Sequence, residues 1–141
     1  ANLKLVTTAE EFIKICNLRS EIYGNLGYQK EFPDFLPNMN FDFYDLNSAI
    51  IYNLTNSEIT ATCRLIFDSD KKLPIEEKLD LSSIRSKFQN IAEVSRLMVK
   101  KEQKGLNLDF KYLTLGIYRI ITSNNLDASI SVILCDTKRA F

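Results

Sequence analysis

The chain of 141 residues contains no histidine. This absence excludes Ser-His-Asp and Cys-His catalysis, histidine-ligated metal sites and acid–base chemistry by an imidazole. In an enzyme of this composition, carboxylates, water and backbone groups must therefore handle the protons. The few cysteines, Cys16, Cys63 and Cys135, lie far apart and without a C-x-x-C spacing. This arrangement argues against a disulfide framework or a zinc site, and Cys16 and Cys135 are expected to be buried thiols.

Long apolar runs and an excess of charge are missing as well. No segment approaches the ~20 apolar residues of a membrane-spanning helix, and the N-terminus has no signal-peptide pattern. We therefore expect a cytoplasmic protein without a membrane span. Eighteen basic residues balance eighteen acidic ones, so the net charge is zero. A neutral chain has no broad field that attracts phosphate backbones, which argues against nucleic acid as the main partner.

The local sequence patterns predict helices and strands within a single domain, residues 1–141. The capping-box pattern Thr8-Ala9-Glu10-Glu11 begins a helix, which the apolar spacing extends to about Tyr23 and which Gly24 and Gly27 end. Strands at 46–53 and 59–67, joined by a turn, predict a hairpin. The other predicted elements are a strand at 3–6, helical turns at 75–79 and 82–88, a strand at 91–99, a helix capped by Asn107 or Asp109 that ends near Ser123, and a strand at 128–135.

Strict alternation in the second hairpin strand predicts two different faces. One face would carry Ile59, Ala61, Cys63, Leu65 and Phe67, and the other Thr60, Thr62 and Arg64. The strand–helix–strand unit of residues 91–135 implies a parallel pair with a right-handed crossover. Joined to the antiparallel hairpin, this pair makes a mixed sheet, and the fold class is α/β (α+β). The junction between the two parts is the expected place for a ligand.

Charged residues interrupt these apolar elements, where an ordinary core has none. They are Arg19 in the first helix, Asp42 and Asp45 between aromatic residues, Arg64 within a strand, and Glu93 with Arg96 in another strand. Buried charges must be paired, because an unpaired one costs several kcal/mol. From the residues alone, two interpretations stay open. The charges form a structural ion-pair network, or they mark a working site in a cleft.

Four segments resemble motifs of the acyl-homoserine-lactone (autoinducer) synthase family, in order and in approximate spacing, from about Leu18 to Val99. The segments are Arg19 with Tyr23 and Leu26-Gly27-Tyr28, the D-x-x-D pair Asp42 and Asp45, the strand motif Thr62-Cys63-Arg64-Leu65, and the E-x-S-R signature of Glu93, Ser95 and Arg96. One departure concerns the family's tryptophan, whose place Tyr28 takes. Such enzymes also continue after the last strand seen here, so the resemblance implies that C-terminal strands are missing.

The resemblance implies a GNAT-like three-layer sandwich. It also implies a bacterial enzyme of quorum-sensing autoinducer synthesis that transfers a fatty acyl group from acyl carrier protein or acyl-CoA. The acceptor would be the amine of S-adenosylmethionine, and no cofactor or metal would be tightly bound. The same motifs occur in N-acyl amino acid synthases, so an amino acid acceptor is the first alternative. A GNAT-like domain without activity that binds a ligand as a sensor is the second alternative.

The resemblance also assigns roles to residues of the E-x-S-R strand and its neighbours. Glu93 would be the general base, acting through a water. Arg64 and Arg96 would hold an acceptor carboxylate or order the carboxylates. A backbone N–H near Met98 or Val99 would stabilise the oxyanion. Because strict alternation puts Glu93 and Arg96 on opposite faces, we predict a β-bulge in this strand.

Further residues would bind the two substrates. The acceptor set is Arg19, Tyr23, Tyr28, Asp42 and Asp45, and the acyl-chain wall is Leu97, Met98 and Val132. The segment Gln103-Lys104-Gly105-Leu106 is a degenerate form of the loop by which GNAT-type enzymes hold a pyrophosphate, although a plain strand-to-helix turn is an equal alternative. A basic patch for acyl carrier protein, or simply a solvated face, is expected at Lys100, Lys101, Lys104 and Lys111.

Overall fold

The computed structural model describes residues 2–100 and 106–131. It contains a mixed five-stranded sheet in the order β1-β2-β3-β4-β5, in which only β4 and β5 are parallel. The elements are β1 (Asn2–Leu5), α1 (Ala9–Leu26), β2 (Ser48–Thr55), β3 (Glu58–Phe67), α2 (Ser82–Lys87), β4 (Ile91–Val99), α3 (Leu106–Ser123) and β5 (Ala128–Ser131), with 3₁₀ turns at Phe43–Asn47 and Pro74–Glu77. The hairpin, the parallel pair and the mixed sheet predicted from the sequence are confirmed.

The two long helices cover opposite faces of the sheet. Ile15 of α1 packs against Ile50 and Tyr52 of β2. On the other face, Leu113 of α3 packs with Ile51 and Cys63. This gives the three predicted layers, because a sheet that is apolar on both faces needs a helix on each side.

Helix α1 begins as predicted and ends later than predicted. The Thr8 side chain accepts from Glu11 N–H, and Glu11 reaches back to complete the capping box. The expected stop at Gly24 is wrong, since the helix continues through Gly24 to Leu26. It ends at Gly27, whose φ of 75° lies in the left-handed region. The N–H groups of Gly27 and Tyr28 donate to Gly24 O and Tyr23 O, which is the Schellman pattern of a helix C-terminus.

Strand β3 does not alternate as predicted, because a bulge interrupts it near Thr60. Asn53 pairs with Ala61 but the next residue, Leu54, pairs with Ile59. Ile59 therefore packs on the α1 side, while Ala61 packs on the α3 side. The extra residue, Thr60, donates its hydroxyl to Asp109 Oδ1 at 3.1 Å. One inserted residue is enough to reverse the face of every position beyond it.

Two predicted boundaries are also corrected. The first hairpin strand begins at Ser48 rather than residue 46, because Asp42 and Asp45 form a capping box for the 3₁₀ turn before it. Helix α3 already begins at Leu106, so neither Asn107 nor Asp109 caps it. Asp109 is buried instead, and it accepts from Asn53 and Thr60. A buried carboxylate satisfied by these donors ties the first turn of α3 to the sheet.

Residues 132–135 of the last predicted strand lie outside the described residues, as do Lys101, Lys104 and the rest of the predicted phosphate loop up to residue 105. Cys16 and Cys63 are free and buried, and for Cys16 this confirms the prediction. Within the described residues, every helix is too short or too polar to cross a lipid bilayer.

Candidate active site

A β-bulge in the middle of β4 shapes the site. Arg64 of β3 pairs with Ser95, whereas Thr62 pairs with Met98, so Cys63 alone faces both Arg96 and Leu97. Arg96 has a φ of 53°, a left-handed value that is strained for a residue with a side chain. This confirms the predicted bulge. In a regular strand Glu93 and Arg96, three positions apart, would point to opposite faces of the sheet. The bulge places both on the same face, where Arg96 contacts Asp42.

Arginines and aspartates from four separate elements meet on the α1 side of the sheet. Asp45 Oδ1 lies 3.1 Å from Arg19 Nη2, and its Oδ2 lies 3.2 Å from Arg64 Nη1. Asp42 Oδ1 lies 2.6 Å from Arg64 Nη1, and its Oδ2 lies 3.2 Å from Arg96 Nη2. The structure therefore brings these five predicted residues together in one network.

Exposure of the network increases from its inner to its outer end. The side chains of Arg19 and Arg64 are 0% and 1% exposed, whereas that of Arg96 is 14% and that of Asp42 is 35% exposed. Burial raises the pKa of Asp45, but the adjacent Arg19 and Arg64 outweigh it and hold the pKa below its usual value. The buried ion pairs of Asp45 thus anchor the network, and Arg96 and Asp42 are its more accessible members.

Glu93 lies next to this network without joining it. Glu93 is 4% exposed, and its Oε1 accepts a hydrogen bond from Ile75 N–H at 2.7 Å. Across residues 2–100 and 106–131, no basic side chain lies within 4.0 Å of its carboxylate. Burial raises the pKa of Glu93, and the hydrogen bond from Ile75 and the charge of Arg64 oppose this only in part. A carboxylate in this state is a stronger base than a solvated one.

An open cavity of about 310 Å³ lies between the 3₁₀ turn Phe43–Asn47 and the end of β3. Tyr44 and Ile66 are among its lining residues, and Ile66 is the direct cross-strand partner of Glu93. Side chains of directly paired residues lie on one face with Cβ atoms about 5 Å apart. Glu93 does not itself line the cavity, which is partly apolar space next to Ile66, the cross-strand partner of Glu93.

The two predicted aromatic residues of the acceptor set lie in different surroundings. Tyr23 is buried, and its ring stacks on Phe32 at a centroid distance of 4.6 Å. The Arg96 guanidinium carbon lies 4.8 Å from the Phe32 centroid and 5.7 Å from the Tyr23 centroid. Tyr28 donates its N–H to the C-terminus of α1. The Phe32 ring therefore contacts both Tyr23 and Arg96.

The predicted acyl-chain residues are divided among different environments. Leu97 in the bulge is 42% exposed and Met98 is 6% exposed. Val132 lies outside the described residues. The side chain of Val99, whose backbone N–H was a candidate oxyanion donor, packs beneath α3 with Ile51 and Ala61. Of the predicted basic patch, Lys100 is half-buried and Lys111 is exposed. Of the two members of the predicted wall that the structure describes, Leu97 is the exposed one.

Three further residues belong to the site although no role was predicted for them from the sequence. Ser95 Oγ accepts from Arg64 Nε at 2.9 Å. Asn40 is buried, its carbonyl accepts from Arg19 Nη1 at 3.3 Å, and its side-chain amide donates to Phe32 O at 2.9 Å. Ser95 stands inside the E-x-S-R motif, so that motif was an available signal. Asn40 and Phe32 lie in a loop without periodicity, and nothing in the sequence singles them out.

No metal-binding arrangement is present in the part of the chain that the structure describes, where no three acidic or cysteine side chains are grouped to hold an ion. Three arginines interleaved with two aspartates attract carboxylates and ammonium groups rather than a cation alone. This donor set suits a zwitterionic molecule.

The chain is similar to acyl-transferring enzymes of known structure. FeeM, an N-acyl amino acid synthase from uncultured soil microbes, superposes with a TM-score of 0.65 at 13% identity over 99% of this chain and 73% of that one. The CoA-dependent acyl-homoserine lactone synthase BjaI, solved with S-adenosylmethionine and isopentyl-CoA, gives a TM-score of 0.64 at 14% identity over 88% of this chain and 62% of that one. The acyl-homoserine lactone synthase LasI gives 0.56 at 16% identity over 88% and 66%.

These similarities show a GNAT-like fold, as the sequence predicted. A search of curated protein sequences found no match. The sequence profile of the family described as N-acyl amino acid synthase FeeM matches residues 14–140, nearly the whole chain and all of the charged network. The protein is accordingly an acyltransferase, and it belongs to the FeeM family of N-acyl amino acid synthases.

Proposed function

We propose that this acyltransferase moves a fatty acyl group from a thioester, on acyl-CoA or acyl carrier protein, to the α-amine of an amino acid. The observation that carries the proposal is the position of Glu93. Its buried carboxylate, with a raised pKa, lies on the same face of the sheet as Arg96 and Asp42, the less buried pair of the network. A base and a zwitterion-binding pair thus share one surface of the sheet.

The reaction is aminolysis of a thioester. The amine nitrogen attacks the carbonyl carbon, the new C–N bond forms, the C–S bond breaks, and the thiolate leaves. The attacking amine is protonated at neutral pH and must lose a proton first. Glu93 takes this proton through a water, and the proton finally reaches the thiolate. A general base works best when its pKa lies near the working pH, and burial moves the pKa of Glu93 in that direction.

The oxyanion donor is best sought at the bulge. Lys100 N–H donates to Thr60 O at 2.8 Å, and alternate amides of an antiparallel strand point the same way, so Met98 N–H faces β3. Val99 pairs with Ala61 and Glu93 pairs with Ile66. The Val99 amide therefore lies roughly 17 Å from Glu93 along the strand direction. That span is too long for one water to bridge.

The bulge residues Arg96 and Leu97 lie opposite Cys63, only about 10 Å from Glu93 by the same spacing. A bulge releases one residue from the ladder, and we expect its N–H to face the thioester oxygen. Donor, amine and base then fit within one site, whereas the more distant Val99 amide fits less well. Leu97 retains its proposed place beside the first carbons of the acyl chain.

The acceptor is recognised by its two charged groups. An amino acid carries a carboxylate that complements Arg96 and an amine that Asp42 can hold before the proton is removed. Membership of the family described as N-acyl amino acid synthase FeeM supports an amino acid as the acceptor. S-adenosylmethionine carries the same two groups, and the four sequence motifs together with the likeness to BjaI support it as the second candidate acceptor.

Mass spectrometry of lipid extracts tests the proposal. Cells that express the complete gene are compared with cells that express its Glu93→Gln variant. N-acyl amino acids that appear with the wild type and disappear with the variant are expected. Acyl-homoserine lactones would identify S-adenosylmethionine as the acceptor. If no new acyl product appears, the enzymatic proposal fails and a ligand-binding or sensor domain takes its place.

A further inference from the structure

The charged network is closed by a loop residue on its outer side. Arg96 contacts Asp42 through its Nη2 and the Phe32 ring through its guanidinium face. The carbonyl of Phe32 accepts from Asn40 at 2.9 Å, and the carbonyl of Asn40 accepts from Arg19 at 3.3 Å. The ion pairs of Asp42 and Asp45 complete these contacts to a closed ring of interactions that begins and ends at Arg19. The loop after α1 is therefore attached to both ends of the network.

Arg96 needs support that its own strand does not give. Its left-handed φ of 53° favours glycine. Its Nε is buried and has no partner among the described residues. Burial lowers the pKa of Arg96, so the site does not hold the charge without cost. The Phe32 face offers a cation–π contact, which gains strength where water is excluded.

Asn40 holds Phe32 in place from behind. It is 1% exposed, and its amide nitrogen lies 2.9 Å from Phe32 O, 3.4 Å from Pro33 O and 3.3 Å from Asp34 Oδ1. Its own N–H donates to Cys16 O of α1 at 3.2 Å. A buried amide with these contacts fixes the loop backbone, and the Phe32 ring is fixed with it.

We propose that Phe32 is a positioning residue that holds the Arg96 guanidinium in place to receive the acceptor's carboxylate. This inference rests on the proposed function, because it concerns how the acceptor is bound. The Phe32 ring lies against the Arg96 guanidinium, with a distance of 4.8 Å from the guanidinium carbon to the ring centroid. Phe32 then controls affinity for the acceptor and leaves the thioester side of the site unchanged.

Steady-state kinetics on the purified full-length enzyme test this role. Phe32→Leu should raise KM for the acceptor by about tenfold, which corresponds to about 1.4 kcal/mol, while KM for the acyl donor stays within twofold. Phe32→Tyr should restore the acceptor KM. Phe35→Leu is the matched control from the same loop, since Phe35 is 54% exposed and its ring contacts Phe41 and Phe43. The proposal would be overturned if Phe32→Leu lowered kcat and raised the KM values for acceptor and acyl donor by similar factors.

A second measurement separates this inference from the proposed function. Urea unfolding of wild type, Phe32→Leu, Arg96→Gln and the double variant gives the coupling between the two side chains without any assay of activity. We expect the two single changes to be clearly non-additive. If acyl transfer is absent but the coupling is present, the proposed function fails and the contact stands. Additive effects would remove Phe32 from its role even in an active enzyme.

Discussion

Arg64 and Asp42 form an ion pair of 2.6 Å between side chains that stand 22 positions apart in the sequence. The same carboxylate also binds Arg96 at 3.2 Å. Asp42 is therefore the link between a fully buried arginine and a partly exposed one. Loss of its charge should release the outer arginine while the inner pair with Asp45 persists.

Replacement of Asp42 tests this division of the network. We expect Asp42→Asn to lower the free energy of unfolding by only about 1 kcal/mol, because the carboxylate is partly solvated and screened. Acyl transfer should fall much further, since Arg96 loses its charged partner. Chemical denaturation and turnover of the same preparation measure both effects. Glu31→Gln, which removes an exposed charge from the neighbouring loop, serves as control and should change neither quantity.

Asp45 should behave differently, because it lies between two buried arginines. We expect Asp45→Asn to cost about 3–5 kcal/mol of unfolding free energy, since it leaves buried charge without a partner. The folded pKa of Asp45 is depressed, so its contribution is complete above the unfolded pKa of about 3.9 and is lost as the pH falls towards the folded value. Urea titrations at several pH values should show the two proteins converging below about pH 4. A constant difference down to the lowest pH would contradict this.

Glu93 should show the opposite linkage. Its folded pKa is raised by burial, so the ionised form destabilises the fold as the pH rises above the unfolded pKa of about 4.3. Glutamine keeps the acceptor for Ile75 N–H and carries no charge. The Glu93→Gln variant should thus be more stable than the wild type at pH 7, and the gain should disappear near pH 4. A variant less stable at neutral pH would show that the carboxylate is structural.

The bulge can be tested through the backbone of Arg96. At a φ of 53° an alanine is strained and a glycine is not. Arg96→Gly should therefore be more stable than Arg96→Ala by about 1 kcal/mol. Thermal unfolding measures the stability of each variant. Because both variants lack the guanidinium, its loss cancels in the difference between their stabilities. If alanine is the more stable replacement, the residue is not in the left-handed region.

Much of this fold follows from local sequence patterns. The capping box at Thr8, the apolar alternation of the hairpin and the strand–helix–strand order were enough to predict the mixed sheet. The face of Ile59 was predicted wrongly, because the bulge near Thr60 depends on a tertiary bond to Asp109. The extension of α1 past Gly24 likewise depends on the Schellman turn that Gly27 completes.

The site was predictable only where charge interrupts an apolar pattern. Arg19, Arg64 and Arg96 stand out because an unpaired buried charge is costly, and the structure pairs each of them. Phe32 and Asn40 have no such signal, since an aromatic residue and an amide in a loop are ordinary. Their contribution comes from the path of the loop across the network, which distant contacts determine.

The most direct test measures amine-dependent release of thiol from medium- and long-chain acyl-CoA or acyl carrier protein by the full-length enzyme. Each common amino acid and S-adenosylmethionine is supplied in turn, and wild type is compared with Glu93→Gln. We predict that the wild type releases thiol with at least one acceptor and that the variant, still folded, is about 10²–10⁴-fold slower. Equal rates for the two proteins would contradict the role of Glu93 and with it the proposed site.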